Sequence, residues 1–302
     1  MLLLDTASLY FRAFFGVPDI KADDGTPVNA VRGLLEFISR LVNDYSPTDL
    51  VCCWDNDWRP QWRVDLIPTY KTHRVVEEVE TAPDVEEVPD PLQVQVPIIR
   101  EVLAAAGICV IGVDGYEADD VIGTLATNAG MPVDVVTGDR DLFQLVDDAA
   151  GVRILYPTRG VGDPDLVDEK WLVAKYGVRA DQYADFATMR GDTSDGLPGV
   201  KGVGEKTAAK LLQQFGDLEG IIAAVADPAT SITKAQRQKF VDAADYLAVA
   251  PEVVAVARNL PLDRSRTALP STPADLDRLR ELAATYNLSS QVARLEAALS
   301  AR

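Results

Sequence analysis

Ile108-Cys109-Val110-Ile111-Gly112-Val113 runs into Asp114-Gly115-Tyr116-Glu117-Ala118-Asp119-Asp120-Val121-Ile122. The first six residues form a short apolar run, the pattern of a strand buried in a parallel sheet. Val121, Ile122, Leu125 and Ala126 then follow at helical spacing. Between strand and helix stand Glu117, Asp119 and Asp120. Capping and the helix macrodipole also favour acids at a helix start, but three acids in four positions exceed what one cap needs. The same arrangement recurs along the chain. Met1-Leu2-Leu3-Leu4 runs into Asp5, and Leu50-Val51-Cys52-Cys53-Trp54 into Asp55. Val133-Asp134-Val135-Val136-Thr137 leads to Asp139 and Asp141, which could also serve as turn and cap residues. Gly191-Asp192-Thr193-Ser194-Asp195 adds Asp192 and Asp195. In an open α/β sheet, ligands bind outside the carboxyl ends of the strands. Four strands are therefore expected to deliver acids to one edge.

Two unit charges about 4 Å apart repel by roughly 4 kcal/mol at an effective dielectric near 20. Several carboxylates at such spacing need cations. An all-oxygen donor set suits Mg²⁺ or Mn²⁺, and two such ions about 3.5–4 Å apart are an apparatus for phosphodiester hydrolysis.

The 302 residues are 47% hydrophobic and 25% charged, ordinary for a globular chain with a substantial core. No run approaches the roughly 20 apolar residues of a membrane span. The N-terminus reads as a strand into Asp5 rather than a leader, and a cytoplasmic protein is expected. The three cysteines lie in strand-like runs without a C-x-x-C, so they read as buried, reduced thiols. His73 is the single histidine, so no Ser-His-Asp or Cys-His mechanism has a second choice of base. It lies in Tyr70-Lys71-Thr72-His73-Arg74 and reads as exposed. The net charge of −18 opposes DNA binding over the whole surface. The excess would have to sit at the metal cluster and on solvated segments such as 77–90, where Glu77, Glu78, Glu80, Asp84, Glu86, Glu87 and Asp90 concentrate.

Strand-like runs near 1–4, 50–54, 108–113, 133–137 and 152–156 alternate with helical patterns. They predict an α/β domain, residues 1–165, with a parallel, doubly wound sheet. Beyond it the pattern is helical, giving a second domain over 166–302. Within that domain, Pro198-Gly199-Val200-Lys201-Gly202-Val203-Gly204-Glu205-Lys206-Thr207 precedes a helical repeat. Glycines before a helix N-terminus present unobstructed N–H groups. With Lys201, Lys206 and Lys210 they suit a nucleic-acid phosphate. A tight helix–helix turn with solvent-facing lysines is the plainer reading. The stretch does not match a nucleotide-binding P-loop. Tyr70, Lys71 and Arg74, with Arg59 and Arg63 upstream, supply cations and an aromatic for a scissile phosphate or an unpaired base, or form a solvated basic face.

Taken together, these stretches resemble the bacterial 5′ nuclease and flap endonuclease family, which includes the 5′-nuclease domain of DNA polymerase I. The resemblance runs from Asp5 to about residue 250. It is carried by Tyr116–Val121, Thr137–Leu142, Gly191–Asp195 and Leu197–Ala208, in the family's order. It implies a PIN-like nuclease sheet and one metal group of Asp5, Asp55, Glu117, Asp119 and Asp120. It implies a second group of Asp139, Asp141, Asp192 and Asp195, and two or more Mg²⁺ or Mn²⁺ ions. Lys71, Arg74, Tyr70 and Arg12 would lie near the scissile phosphate, and residues around 60–97 would form a helical arch over a 5′ single strand. Around 185–216 it implies a helix–three-turn–helix gripping duplex DNA through Gly199, Lys201, Gly202, Gly204, Lys206 and Thr207, with a K⁺ ion. The implied partner is DNA with 5′ flaps, nicks or 5′ ends, including RNA–DNA primers, and the implied state is a monomer. No polymerase segment follows, which fits a free-standing nuclease. Three departures stand out: Thr6 where glycine is usual, Trp54 where phenylalanine is common, and Gly196 where asparagine is usual.

The expected activity is 5′-3′ exonuclease and flap cleavage of DNA, leaving 5′-phosphate and 3′-hydroxyl ends. A haloacid-dehalogenase phosphatase would want a second acid where Ala7 stands. A ribonuclease of related architecture and a non-catalytic DNA-binding module are the other rivals. The module would need neither nine acids nor a charge of −18.

Overall fold

The computed structural model describes residues 1–79 and 82–301; Glu80 of the acidic segment lies outside them. The strands are β1 (Leu2–Asp5), β2 (Leu50–Trp54), β3 (Val75–Glu77), β4 (Val85–Glu86), β5 (Cys109–Gly112), β6 (Val133–Val136), β7 (Val152–Tyr156) and β8 (Asp165–Val167). The helices of the first half are α1 (Thr6–Gly16), α2 (Asn29–Tyr45), α3 (Gln61–Leu66), α4 (Asp90–Gln93), α5 (Gln95–Ala106) and α6 (Ala118–Ala126). Those of the second half are α7 (Glu169–Tyr176), α8 (Tyr183–Arg190), α9 (Glu205–Phe215), α10 (Leu218–Ala226), α11 (Lys234–Asp242), α12 (Ala244–Leu247), α13 (Ala250–Val254), α14 (Leu276–Thr285) and α15 (Ser289–Ser300).

Six strands form the main sheet in the order β5-β2-β1-β6-β7-β8. All neighbours are parallel except β8, which runs antiparallel to β7 at the edge. The expected parallel, doubly wound sheet is present, with that one antiparallel strand added. The chain moves outward from β1 to β2 and β5, then returns to β6 on the other side of β1. Strand order therefore reverses between β1 and β6, and a crevice is expected at their carboxyl ends.

Alternate residues of each strand feed two cores. Leu3, Val51 and Cys53 pack with α6 and the helices of the second half. Leu2, Leu4, Leu50 and Cys52 pack with α2, α5, α14 and α15. Cys52 and Cys53 are fully buried free thiols on opposite faces, as their adjacency predicts. The helices α14 and α15, expected in the second domain, lie instead on the α/β half: Leu279, Leu282, Leu295 and Leu299 join the core built by α2 and α5. Their apolar stripe identifies helices, but it does not say which sheet face receives them.

The segment expected as a helical arch is helical only in part. It comprises the short α3, a 3-10 turn at Thr72–Arg74, the antiparallel β3–β4 pair, and α4. Among the described residues, no helix is long and apolar enough to cross a membrane.

Candidate active site

Each acid is placed by a local rule. Asp5 ends β1 and caps α1, accepting from the Ser8 N–H at 3.1 Å. Its second oxygen accepts from Thr137 Oγ1 at 2.7 Å, which joins β1 to the turn after β6. Thr137 Oγ1 in turn accepts from the Asp139 N–H at 2.8 Å. Asp55 follows β2 and accepts from the Ala118 N–H at 2.8 Å, at the start of α6. The carboxyl ends of β1, β2, β5 and β6 are thus tied together around their acids.

Asp5, Asp55, Glu117, Asp119 and Asp139 line one open cleft of ≈ 760 Å³, with Lys71 and Arg74 on its wall. A small cavity of ≈ 20 Å³ adjoins it; Glu117 and Asp119 line this too, together with Asp141 and Asp195. Asp139 thus borders both acid groups: it lines the cleft with the first, and its Oδ1 accepts from the Asp141 N–H of the second at 2.8 Å. Arg12, on α1, lies beside the same turn: a Cβ added at Gly138 would stand 4.0 Å from its Nη2.

Two of the nine acids line neither cavity. Asp192 accepts from the Ser194 N–H at 2.8 Å and lies 3.5 Å from Arg190 Nη2. Asp120, expected among the metal ligands, is fully buried behind the cleft. It accepts from Arg63 Nη1 and Nη2, both at 2.8 Å, from the Ala257 N–H at 2.8 Å and from the Glu117 N–H at 3.2 Å. Both its oxygens are spent on the protein itself. Unlike its neighbour Asp119, it turns to Arg63, whose Nη1 it shares with the cleft acid Glu117.

The electrostatics divide the cluster. Burial, then the charge of Asp55, pushes Asp5 up to about 7. Burial pushes Asp55 up to about 6 and, with Asp139 and Asp5 beside it, Asp119 well above the usual carboxylate range. Asp141 is driven strongly upward by burial and then by Asp139, and burial lifts Asp195 to about 6. Glu117 behaves oppositely. Burial works against its charge, but Lys71 and Arg63 overcome it and hold the carboxyl below its usual range. It accepts from Arg63 Nη1 at 3.0 Å, from Tyr70 Oη at 2.7 Å and from Lys71 Nζ. Arg74 Nη2 lies 3.2 Å from Asp195 Oδ1.

Among the described residues, no three His, Cys, Asp or Glu side chains stand close enough together to clasp one ion as arranged. Internal cations take up several of them instead. The donor set nevertheless fits a hard divalent cation in kind. It is all carboxylate oxygen, its members raise one another's proton affinity, and Asp141 Oδ1 is buried without a hydrogen-bond partner. Such oxygens gain from a cation as they gain from a proton.

Sequence reasoning passed over the cations that organise these acids. In the sequence Arg63 reads only as an upstream positive charge, and Arg190 stands in no motif. Arg59, the other upstream cation, is buried and structural: it donates to Tyr70 O at 2.6 Å and to Asp84 Oδ2 at 2.5 Å, pinning the β3–β4 segment to the 70–72 turn. His73 is exposed, as expected.

The glycine-rich stretch joins α8 to α9 as a tight turn. Gly199, with φ of 64°, presses on the backbone of Arg190 and Gly191: an added Cβ would stand 2.6 Å from Gly191 N and 2.7 Å from Arg190 O. Gly202, Gly204, Lys201 and Lys206 are exposed and Thr207 is half-buried. Gly202 O accepts from Lys239 Nζ of α11 at 2.8 Å.

Residues 1–177 match the N-terminal resolvase-like domain of 5′-3′ exonucleases, and residues 178–277 their C-terminal SAM fold. The chain belongs to the 5′-3′ exonuclease family. A 5′-3′ exonuclease of Streptomyces coelicolor is 62% identical over 301 residues, covering 99% of this chain and 100% of that protein. One of Mycobacterium tuberculosis is 49% identical over 309 residues, covering 99% and 97%. DNA polymerase I of Mycobacterium bovis is 38% identical over 287 residues, which is 93% of this chain but 30% of that protein. Solved structures share the fold. The T5 D15 protein co-crystallised with metal ions gives a TM-score of 0.66 at 16% identity, covering 99% of this chain and 98% of that one. The catalytic core of Rad2 in complex with DNA substrate gives 0.60 at 17% identity, covering 97% and 90%. In this 5′-3′ exonuclease chain the two family domains meet between α7 and α8, so Asp192 and Asp195 come from the SAM-fold part and the remaining acids from the resolvase-like part.

Proposed function

We propose that this chain is a structure-specific 5′ nuclease of DNA replication and repair. It acts as a 5′-3′ exonuclease and flap endonuclease and leaves 5′-phosphate and 3′-hydroxyl ends. The observation that carries this reading is the cleft lined by Asp5, Asp55, Glu117, Asp119 and Asp139 with Lys71 and Arg74 on its wall. Two or more Mg²⁺ or Mn²⁺ ions held by these acids and by Asp141 and Asp195 would supply an activated water and charge neutralisation at the leaving oxygen. The chain's own cations do the rest. Lys71 Nζ, fixed by Glu117 and by Trp58 O at 3.3 Å, brings a desolvated positive charge to the cleft. There it stabilises the negative charge that develops on the phosphate. Arg74 and Arg12 add charge at the rim, and Tyr70 orients Glu117 through its hydroxyl.

The glycine turn and the start of α9 grip the duplex backbone through Gly199, Gly202, Gly204, Lys201, Lys206 and Thr207 without reading sequence. A K⁺ ion at the turn belongs to the same reading. The substrates are DNA 5′ ends, nicks and flaps, RNA–DNA primers included, taken by a monomer in the cytoplasm. A ribonuclease is disfavoured by the SAM-fold half, whose exposed glycine turn suits a duplex backbone.

The test is cleavage of a 5′-labelled flap duplex and a matching RNA hairpin with Mg²⁺ or Mn²⁺. Cleavage of the flap with release of a 5′-phosphorylated product is expected. No DNA cleavage with any divalent ion would overturn the proposal, and preferential RNA cleavage would replace it.

A further inference from the structure

Arg190 ends α8, and its side chain is 9% exposed. Its guanidinium faces acids from three separate segments. Nη2 lies 3.5 Å from Asp192 Oδ2 and 3.9 Å from Asp141 Oδ1, and Nη1 lies 3.8 Å from Oε1 of Glu205, the first residue of α9. These separations exceed ordinary hydrogen-bond lengths. Nε donates to Gly191 O at 3.1 Å, Tyr183 lies beside the guanidinium, and the Phe186 ring centre lies 5.5 Å from Cζ. Nη1 of Arg190 and Oδ1 of Asp141 are both buried without a hydrogen-bond partner. The contrast with Arg63 is sharp: that guanidinium is saturated by short bonds, whereas Arg190 is a buried cation shared loosely among acids.

A buried charge so held acts through space rather than through one bond. It lowers the mutual repulsion of Asp141 and Asp192 and occupies the electrostatic role a divalent ion would take beside them. Glu205 draws on the same guanidinium from the other side. The backbone between them is stiff: Val200 N–H donates to Met189 O at 2.8 Å, and Gly199 presses on the Arg190 carbonyl. The acid group and the phosphate-gripping turn are therefore clamped to one another at Arg190.

We propose that Arg190 is a positioning residue: the internal counter-cation of Asp141 and Asp192, which a divalent ion must compete with, and their electrostatic link to α9 through Glu205. The inference rests on the nuclease reading above. Removing the charge relieves competition, so the acids bind a divalent ion more tightly, yet they lose their fixed placement, so cleavage slows. Neutralising Glu205 does the reverse to the ion: Arg190 is left wholly to Asp141 and Asp192, and ion binding weakens.

Mn²⁺ binding by calorimetry on the full chain without DNA, paired with single-turnover flap cleavage, tests this. Arg190→Gln is expected to bind Mn²⁺ roughly tenfold tighter and to cleave more slowly. Arg190→Lys, which keeps the charge, should return Mn²⁺ affinity towards that of the parent. Glu205→Gln should bind more weakly, and because Glu205 is half-exposed this arm stands even if Arg190→Gln fails to fold. Unchanged or weaker Mn²⁺ binding by folded Arg190→Gln, or unchanged binding by Glu205→Gln, would overturn the inference. A parent protein that neither binds Mn²⁺ nor cleaves would instead overturn the nuclease reading.

Discussion

Arg63 meets Asp120 edge to edge, Nη1 to Oδ2 and Nη2 to Oδ1, both at 2.8 Å and both side chains almost wholly buried. The same guanidinium donates to Val253 O at 3.1 Å and to Glu117, and Asp120 accepts from the Ala257 N–H. One ion pair thus fixes α3, the start of α6 and the segment after α13. Breaking a buried pair by removing one partner typically costs about 3–5 kcal/mol, because the other charge is stranded. We therefore predict that Asp120→Ala and Arg63→Met each lower the unfolding free energy, read from denaturant titration, by an amount in that range. The double variant should cost clearly less than their sum, read in a double-mutant cycle. Additive losses would show that the pair is not a unit.

Asp119 gives the contrasting case. It lines the cleft, and Asp139 and Asp5 compound its burial. Asp119→Asn should remove cleavage by roughly 10²-fold or more while leaving stability equal or raised, since a repelling charge is gone. Asp120→Asn should do the opposite, losing stability first. Chemical denaturation and single-turnover cleavage on the same preparations separate the two. If Asp119→Asn unfolds more readily than Asp120→Asn, the assignment of roles is reversed.

The sequence exposes the sheet and its acids because both follow local rules. An apolar run makes a strand, and an acid at its end has no apolar place to go. β1, β2, β5, β6 and β7 lie where their runs lie, and Asp5, Asp55, Glu117, Asp119 and Asp139 share the cleft that their spacing implies. What escapes is whatever depends on direction within a turn or on distant packing. Asp119 and Asp120 are adjacent, and only the α6 rotation decides that one faces the cleft and the other Arg63. The guanidinium of Arg190 finds Asp141 across a long stretch of sequence. The helices α14 and α15 carry a stripe that any apolar face could accept. The arch segment keeps no single apolar period along its length, and its described residues fold as α3, a turn, a short strand pair and α4.

Protonation gives a signed prediction. Asp5 is pushed up to about 7, and Asp55 and Asp195 to about 6, from an ordinary 3.8. Where the pH lies between the ordinary and the raised values, the folded form binds more protons than the unfolded one. Stability from these groups is therefore complete below about pH 4 and is lost as the pH rises to about 7. With a chelator present, Asp5→Asn should be more stable than the parent at pH 7.5, and its advantage should shrink by pH 5. Urea midpoints of both proteins at the two values check this. An advantage that grows on acidification would refute the burial of an unfavourable charge at Asp5. Cleavage, which needs ionised acids, should rise over the same interval.

The geometry at Gly196 requires a residue without a side chain and yields a final test. Its φ is 71°, and an added Cβ would stand 2.1 Å from Thr69 O. That close approach lets Lys71 N–H donate to Asp195 O at 3.0 Å and Thr69 Oγ1 to Gly196 O at 2.9 Å. The segment bearing Tyr70 and Lys71 is thereby laid directly on the Asp195 turn. Asparagine tolerates a positive φ better than most residues, but its Cβ would still meet the Thr69 carbonyl. Gly196→Asn must push the 69–71 segment away, while Gly196→Ala adds backbone strain of about 1–3 kcal/mol to the same collision. Both should slow flap cleavage, and Gly196→Ala should lose more stability than Gly196→Asn. Duplex binding through the glycine turn should be little changed in either, as read by fluorescence anisotropy in Ca²⁺. Full cleavage by Gly196→Asn would mean that the contact between Thr69 and Gly196 does not help place Lys71.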